Sequence, residues 1–321
     1  MKFEIQNKTP RLDVGGDVID AHDGCLEFYD GVFYLYGTVY GDTHGYSQLN
    51  YYTCYSSPDL KNWKCHGDIL PLHKPAVRFR PYVKRCPATS KFVLWYYESA
   101  RWKGTTNWAA GDGPVSPFYF AVAVSDSPTG PFQTVNADVP VKNVCGGDQN
   151  LFVDRDGTGY LIYTSVKNKF AVVVEKLAPD FLSSTMESSE IIAEVREAPS
   201  LFRRGDFYYA LVGELCCFCP QGASVEVFRA RHPLGPYEYR RKINHDAEGR
   251  IVIPAQQTHI ARLGAAESDP LIWMGDCWES TPDGLKGHDI QYWSPPLQFD
   301  DNDDPLPLTW HDSWSAELDS L

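Results

Sequence analysis

The sequence predicts an all-β fold and, within that class, a five-bladed β-propeller. Three observations carry the prediction. Short runs rich in β-branched and aromatic residues are bounded by Gly, Pro, Asp or Ser, as strands are. No long stretch holds a helical 3.6-residue period. The same turn chemistry returns in phase roughly every 45 to 60 residues, the spacing of propeller blades.

The strand runs, in chain order, are Gly31–Thr38, Lys91–Tyr97, Phe118–Val124, Gly159–Thr164, Phe170–Glu175, Asp206–Val212, Ser224–Ala230 and Leu271–Gly275. A short helix is expected over Ser183–Glu194. One recurring unit is an Asp/Gly hairpin running into aromatics: Asp30-Gly31-Val32-Phe33-Tyr34, Asp156-Gly157-Thr158-Gly159-Tyr160 and Gly205-Asp206-Phe207-Tyr208-Tyr209. A second is a Pro/Gly turn onto an aromatic: Ser57-Pro58 to Trp63, Ser127-Pro128 to Phe132, and His232-Pro233 to Tyr237. Units therefore begin near residues 20, 78, 146, 196 and 253. A two-sheet sandwich also has many short strands, but it does not require its turns to recur in phase. No linker divides the chain, so residues 1–321 read as one domain. The acidic Phe299–Asp304 segment reads as a surface loop, and Leu308–Trp314 as a segment that closes the ring or packs beneath it.

The formal net charge is −13. An acidic surface repels phosphate backbones, so nucleic acid is excluded as a partner. No apolar run approaches the roughly 18 residues of a membrane span, so no membrane partner is expected. Met1–Asp13 lacks a basic region followed by an apolar one. This leaves a cytosolic protein, or one whose signal has been removed. Aromatic content is 14 %; such side chains fill β cores, and they also stack on sugar faces.

Acids where the innermost strands of blades begin face the mouth of the central channel. Asp23, Asp148 and Glu197 each sit just before a unit's first strand. Asp23 is eight residues before Gly31, Asp148 nine before Gly157, and Glu197 eight before Gly205. Each alone is also what a turn cap looks like; equal phase in three blades is not. Glu197 stands out further, because Arg196-Glu197-Ala198-Pro199 lies in apolar surroundings. In a closed ring these positions converge, and three converging carboxyls raise at least one pKa. One protonated acid and one carboxylate that activates water are what inverting glycoside hydrolysis needs.

Two stretches carry a resemblance. Asp148 to Tyr160 (DQNLFVDRDGTGY) and Arg196 to Phe202 (REAPSLF) resemble the third-blade and general-acid motifs of glycoside hydrolase family 43, the five-bladed propeller glycosidases. Ala21-His22, Arg80-Pro81-Tyr82-Val83, Phe92-Val93-Leu94-Trp95, Val122 to Phe132, Gln256-Gln257-Thr258 and Gly275-Asp276-Cys277-Trp278 are most similar to its exo-β-1,3-galactanase-like subgroup.

The resemblance implies Glu197 as general acid, Asp148 as the residue that orients it and tunes its pKa, and Asp23 as general base, with Asp20 ranked second. Galactanase-like members often carry Gly after Ala-His and an acid before the Arg-Pro pair; this chain has Asp23 and Phe79. Gln256 or Gln257 falls where those relatives hold water or a sugar hydroxyl with an amide. His22, His259, Glu98, Trp102 and Trp278 are candidate substrate contacts, the two histidines also reading as core residues. No cofactor is required by the resemblance; a structural Ca²⁺ in the central channel stays open, with no motif for it.

The expected activity is exo-acting, inverting release of a terminal galactose-type residue from a poly- or oligosaccharide. An α-L-arabinofuranosidase or β-xylosidase of the same family is the alternative. A non-catalytic carbohydrate-binding propeller and a transferase or phosphorylase of related fold are rivals of other classes.

The nine cysteines cannot all pair. Most stand singly in strand-like runs, as buried thiols do. For Cys216-Cys217-Phe218-Cys219 three readings remain: a zinc site, a vicinal Cys216–Cys217 disulfide, and free thiols in a packed loop.

Overall fold

The recurrent turns separate five antiparallel sheets set around a channel. The structure, a computed structural model, describes residues 2–71, 77–99, 102–103, 113–114, 118–143 and 146–318. After β1 (Lys2–Gln6), blade one is β2 (His22–Tyr29), β3 (Val32–Val39), β4 (Tyr51–Ser57) and β5 (Lys64–Asp68). Blade two is β6 (Tyr82–Arg85), β7 (Phe92–Ser99), β10 (Phe118–Ser125) and β11 (Gln133–Val139), with the small pair β8 (Trp102–Lys103) and β9 (Gly113–Pro114) between its middle strands. Blade three is β12 (Gly146–Val153), β13 (Gly159–Ser165), β14 (Ala171–Leu177) and β15 (Ser184–Ser188). Blade four is β16 (Arg196–Arg204), β17 (Phe207–Glu214), β18 (Glu226–Ala230) and β19 (Glu238–Lys242). Blade five has three strands, β20 (Gln256–Arg262), β21 (Leu271–Cys277) and β22 (Ile290–Pro296). The chain ends on β23 (Ser313–Glu317).

β2, β6, β12, β16 and β20 touch in succession, and β20 returns to β2, which closes the ring. Trp63, Trp95, Trp273 and Trp293 are fully buried in its cores. Each such ring removes a large apolar area from water. No helix among the described residues is long and apolar enough to cross a membrane; the helical pieces there are the 3₁₀ turns Pro220–Ala223 and Lys286–His288.

One sequence expectation is corrected and two are sharpened. The Ser183–Glu194 segment is not a helix: it forms β15 and then a bridge from Ala193 to Val172. Met186 adopts φ +64° within it, and this irregular edge hides the two-residue alternation. The acidic segment is a surface loop, as expected, and it is tied down. Asp304 is buried, takes Arg240 Nε and Nη2 at 2.9 and 2.7 Å and pairs with Arg229 at 3.1 Å. Asp300 takes Arg241 at 2.6 Å. The segment thus straps blade four. Asp304→Ala should destabilise the fold by ~2 kcal/mol, since hydrogen bonds between charged groups are lost; a lower urea midpoint at unchanged m-value checks this. The expectation of buried thiols holds for Cys25, Cys54, Cys86 and Cys277, with Cys65 the exposed exception. Cys145 lies outside the described residues.

The C-terminal segment closes the structure by pairing with its beginning: β23 runs antiparallel to β1, with Ile5 opposite Trp314. The Asn7 amide clamps this ribbon to β22, giving and taking one hydrogen bond with the Trp293 backbone, each 3.0 Å. Phe3, Ile5 and Trp314 fill a core shared with Leu26 and Leu35 of blade one and Ile272 and Met274 of blade five.

The innermost strands are where the fold prepares a site. Pairing is interrupted between His22 and Cys25 in β2, Gly146 and Gln149 in β12, Glu197 and Ser200 in β16, and Gln257 and His259 in β20. Such bulges bend a strand and re-aim its side chains. Gly24 is required in the first of them, because a Cβ there would overlap the Tyr36 carbonyl. The acids therefore lie inside the innermost strands, at their bulges, rather than just before them.

Candidate active site

Asp23, Asp148 and Glu197 stand at three of these bulges, and Arg80 stands before β6 in the remaining blade wall. Asp23 and Arg80 adopt φ +62° and +51°, a left-handed backbone that costs about 1–3 kcal/mol per non-Gly residue and clusters at functional sites. Arg80 is buried. Its Nε meets Asp148 Oδ1 at 3.0 Å, and its Nη1 and Nη2 donate to the Gln257 carbonyl, each at 3.3 Å. The other Asp148 oxygen accepts the Ala198 N–H at 2.9 Å. Asp148 is thus fixed between Arg80 and the strand that carries Glu197.

Glu197 Oε1 accepts two hydrogen bonds at 3.0 Å, from the Cys216 N–H and from Gln256 Nε2. Gln256 is itself oriented by Trp278, whose Nε1 donates to Gln256 Oε1 at 2.9 Å. Burial and then the Asp148 charge push the Glu197 pKa up to about 8, against the opposing pull of Arg80 and the two donors.

Asp23 Oδ2 accepts the Tyr40 hydroxyl at 2.5 Å, and the Asp23 N–H donates to Asp276 Oδ2 at 2.8 Å. Burial raises its pKa to about 7; Arg80 pulls it down and Asp276 pushes it up. His22 lies 3.0 Å from Asp276 through Nδ1. Burial opposes its protonation, but Asp276, Asp20 and Asp23 outweigh burial and hold its pKa at about 9. Asp23 thus sits in a polarised frame set by His22 beside it on β2, Asp276 of β21 and Arg80 ahead of β6.

The remaining predicted residues divide. Asp20 uses one oxygen for the Tyr40 N–H and the other for the Gly41 N–H, at 3.0 and 2.6 Å, so it ties the loop after β3. Gln257 is buried and spent: its amide donates to the Ala198 and Leu211 carbonyls and its Oε1 accepts Trp273 Nε1. His259 does not join the trio. It is buried against Asn150 at 3.1 Å and Glu27 at 3.4 Å, by a separate cavity of about 350 Å³ lined by Glu27, Lys84, Phe152 and Arg203. The side chains of Glu98 and Trp102 lie outside the described residues.

An aromatic group borders the carboxylates. Trp278 packs on His22 at 5.2 Å, Tyr40 at 5.6 Å and Phe218 at 4.8 Å. Tyr46 packs on Phe79 at 4.8 Å and on Phe218 at 5.4 Å. Phe218 comes from the cysteine-rich loop, where the zinc and vicinal-disulfide readings are corrected and the free-thiol reading holds for Cys217 alone. The bond joins Cys216 to Cys219, with Cys217 free. The turn brings residues three apart to a Cα separation of 5.6 Å, within disulfide reach.

Arg80, Tyr40, Asp276 and Phe218 were not singled out as site residues. Only Arg80 had a signal. It stands in the second unit where acids stand in the first, third and fourth.

Among the described residues no group of three or more His, Cys, Asp or Glu is placed to hold a metal. Gln149 Oε1 and Asn150 Oδ1 are buried without partners. Such neutral oxygens suit a bridging water.

The family profile described as glycosyl hydrolases family 43 matches residues 19–260, more than half of the chain. The chain belongs to glycoside hydrolase family 43. The chain is 26 % identical over 225 residues to a β-D-galactofuranosidase of Aspergillus niger, covering 67 % of this chain and 62 % of that protein. It thus spans less than two thirds of that relative's length. A family 43 β-1,3-galactosidase solved with galactodeoxynojirimycin superposes with a TM-score of 0.82 at 25 % identity, over 97 % of this chain and 99 % of the other. An exo-β-1,3-galactanase of Phanerochaete chrysosporium, solved with β-1,3-galactotriose, shares the fold at 22 % identity and a TM-score of 0.79, over 98 % and 68 % of the two chains.

Proposed function

We propose that this family 43 enzyme releases a terminal galactose-type residue from a poly- or oligosaccharide by single displacement with inversion. Glu197 protonates the departing glycosidic oxygen. Asp23 takes a proton from the water that attacks the anomeric carbon from the opposite face. Asp148, locked by Arg80, raises the affinity of Glu197 for its proton. The observation that carries this reading is the unequal treatment of carboxyls around one arginine: Arg80 neutralises Asp148 at 3.0 Å, while Glu197 accepts only neutral donors. Such a difference separates an acid from a spectator carboxylate. The aromatic border supports recognition of a single terminal ring, and the relatives' named activities support galactose.

The test is product stereochemistry. A nitrophenyl β-galactoside should yield α-galactose first by NMR, and a retained β-anomer would overturn the mechanism. In phosphate buffer the product should be free sugar; sugar phosphate would favour a phosphorylase, and absence of turnover a binding protein. A panel adding galactan oligosaccharides, arabinofuranosides and xylosides decides the sugar. Asp23 matches the wider family's base, which keeps arabinofuranosides and xylosides in the panel.

A further inference from the structure

The loop Cys216–Cys219, between β17 and the 3₁₀ turn Pro220–Ala223, contributes to the site from three successive residues. The Cys216 N–H holds Glu197. The Cys217 thiol accepts the Tyr46 hydroxyl at 3.4 Å. Phe218, at φ +63°, supplies the ring against Trp278 and Tyr46. No ladder hydrogen bonds tie this segment. Besides the contacts just named, it is held by the Gly222 N–H on the Cys219 carbonyl at 3.0 Å, by the close approach of the Cys216 carbonyl to Gly222, where a Cβ would not fit, and by one covalent tie, the bond between its ends.

We infer that the Cys216–Cys219 disulfide is a positioning element of the active site, and that a dithiol reversibly turns the enzyme down by opening it. The catalytic half of this rests on the proposed role of Glu197. In the reaction a dithiol thiolate attacks one sulfur, the Cys216–Cys219 bond breaks, and the dithiol's second thiolate closes its own disulfide. The protein gains two electrons and two protons as two thiols, and the dithiol is oxidised. Cys217 does not compete as the attacking thiol, because burial and then the charges of Asp23 and Glu197 hold its pKa well above the ordinary thiol value. Once opened, the loop releases the Cys216 N–H from Glu197 and Phe218 from the aromatic border together.

The test treats the full chain with dithiothreitol, confirms by alkylation and mass spectrometry that Cys216 and Cys219 have become free, and reads two quantities. One is aryl-glycoside kinetics. The expected result is a fall in kcat on the order of tenfold, the loss of one hydrogen bond to an ionisable group, with KM changed about threefold or less and recovery on reoxidation. The other is hydrogen exchange at the Cys216 amide, expected to quicken at least tenfold in the reduced protein while the blade strands keep their protection. Cys219→Ser should reproduce both effects and no longer respond to dithiol; Cys65→Ser should retain full activity and the full response. Unchanged kcat and unchanged amide exchange after verified reduction would overturn the inference, as would alkylation of Cys216 and Cys219 in untreated protein. Faster exchange in a protein that hydrolyses no glycoside even when oxidised would support the loop assignment and overturn the reading of Glu197 instead.

Discussion

Glu197→Gln is expected to lower kcat on the order of 10³-fold on a natural disaccharide, within the range that general acid catalysis supplies. The same variant should lose much less, roughly tenfold, on an aryl glycoside whose phenolate departs without protonation. That dependence on the leaving group separates a proton donor from a residue that merely shapes the pocket, which would cost both substrates alike. Gln keeps the acceptor oxygen used by Cys216 and Gln256, so the loop and Trp278 should stay in place. Stability supplies an independent reading. The folded-state pKa of Glu197 is raised to about 8, so between the ordinary carboxylate range and that value the folded state binds more protons than the unfolded one. Stability therefore falls as pH rises through this window. Glu197→Gln removes the titrating group and should flatten that part of the curve, leaving the variant more stable than the parent at pH 8. A melting temperature reduced at every pH would show instead that Glu197 is structural.

The architecture was legible because turns are local. Asp-Gly hairpins and Pro/Gly turns need particular backbone conformations that few residues supply, so three repetitions of each show in the residues themselves and their spacing implies five units. The phase of Asp23, Asp148 and Glu197 within those repetitions was legible for the same reason. What escaped depends on contacts between distant segments. Arg80 gains its meaning from Asp148, Asp23 from Tyr40 and Asp276, and Glu197 from Gln256 and the cysteine-rich loop. None of these pairs leaves a mark in the spacing of either partner. Four of the five innermost strands escaped as strands because a bulge breaks the two-residue alternation in each. Outer strand β15 was hidden by the irregularity at Met186, and the β1–β23 ribbon joins the two ends of the chain. The cysteine pairing depended on the turn at Phe218, and a sequence run does not display a left-handed residue.

Asp23→Asn should be the other severe lesion, again on the order of 10³-fold in kcat, but with an opposite signature. A missing base is not relieved by a better leaving group, so aryl glycosides and disaccharides should lose activity together. Asn retains an acceptor for the Tyr40 hydroxyl and leaves the backbone N–H to Asp276 intact, so its φ of +62° is tolerable, Asn being among the residues that visit this region most readily. The pH profile carries the sign. In the parent, Asp23 must be ionised and Glu197 protonated, so activity rises as pH climbs through the Asp23 pKa and falls through that of Glu197. Both are displaced upward by burial, which puts the optimum near neutrality instead of the pH 4–5 of unperturbed carboxylates. Asp23→Asn should erase the rising limb and keep the falling one. Azide, an anionic nucleophile that needs no base, should restore turnover to the variant by attacking the anomeric carbon from the water's side, giving a glycosyl azide of inverted configuration. If Asp23→Asn keeps the rising limb, the base lies elsewhere, and Asp20 is the first place to look. Asp20→Asn should otherwise act mainly through the Tyr40 loop, raising KM more than it lowers kcat and leaving both limbs in place.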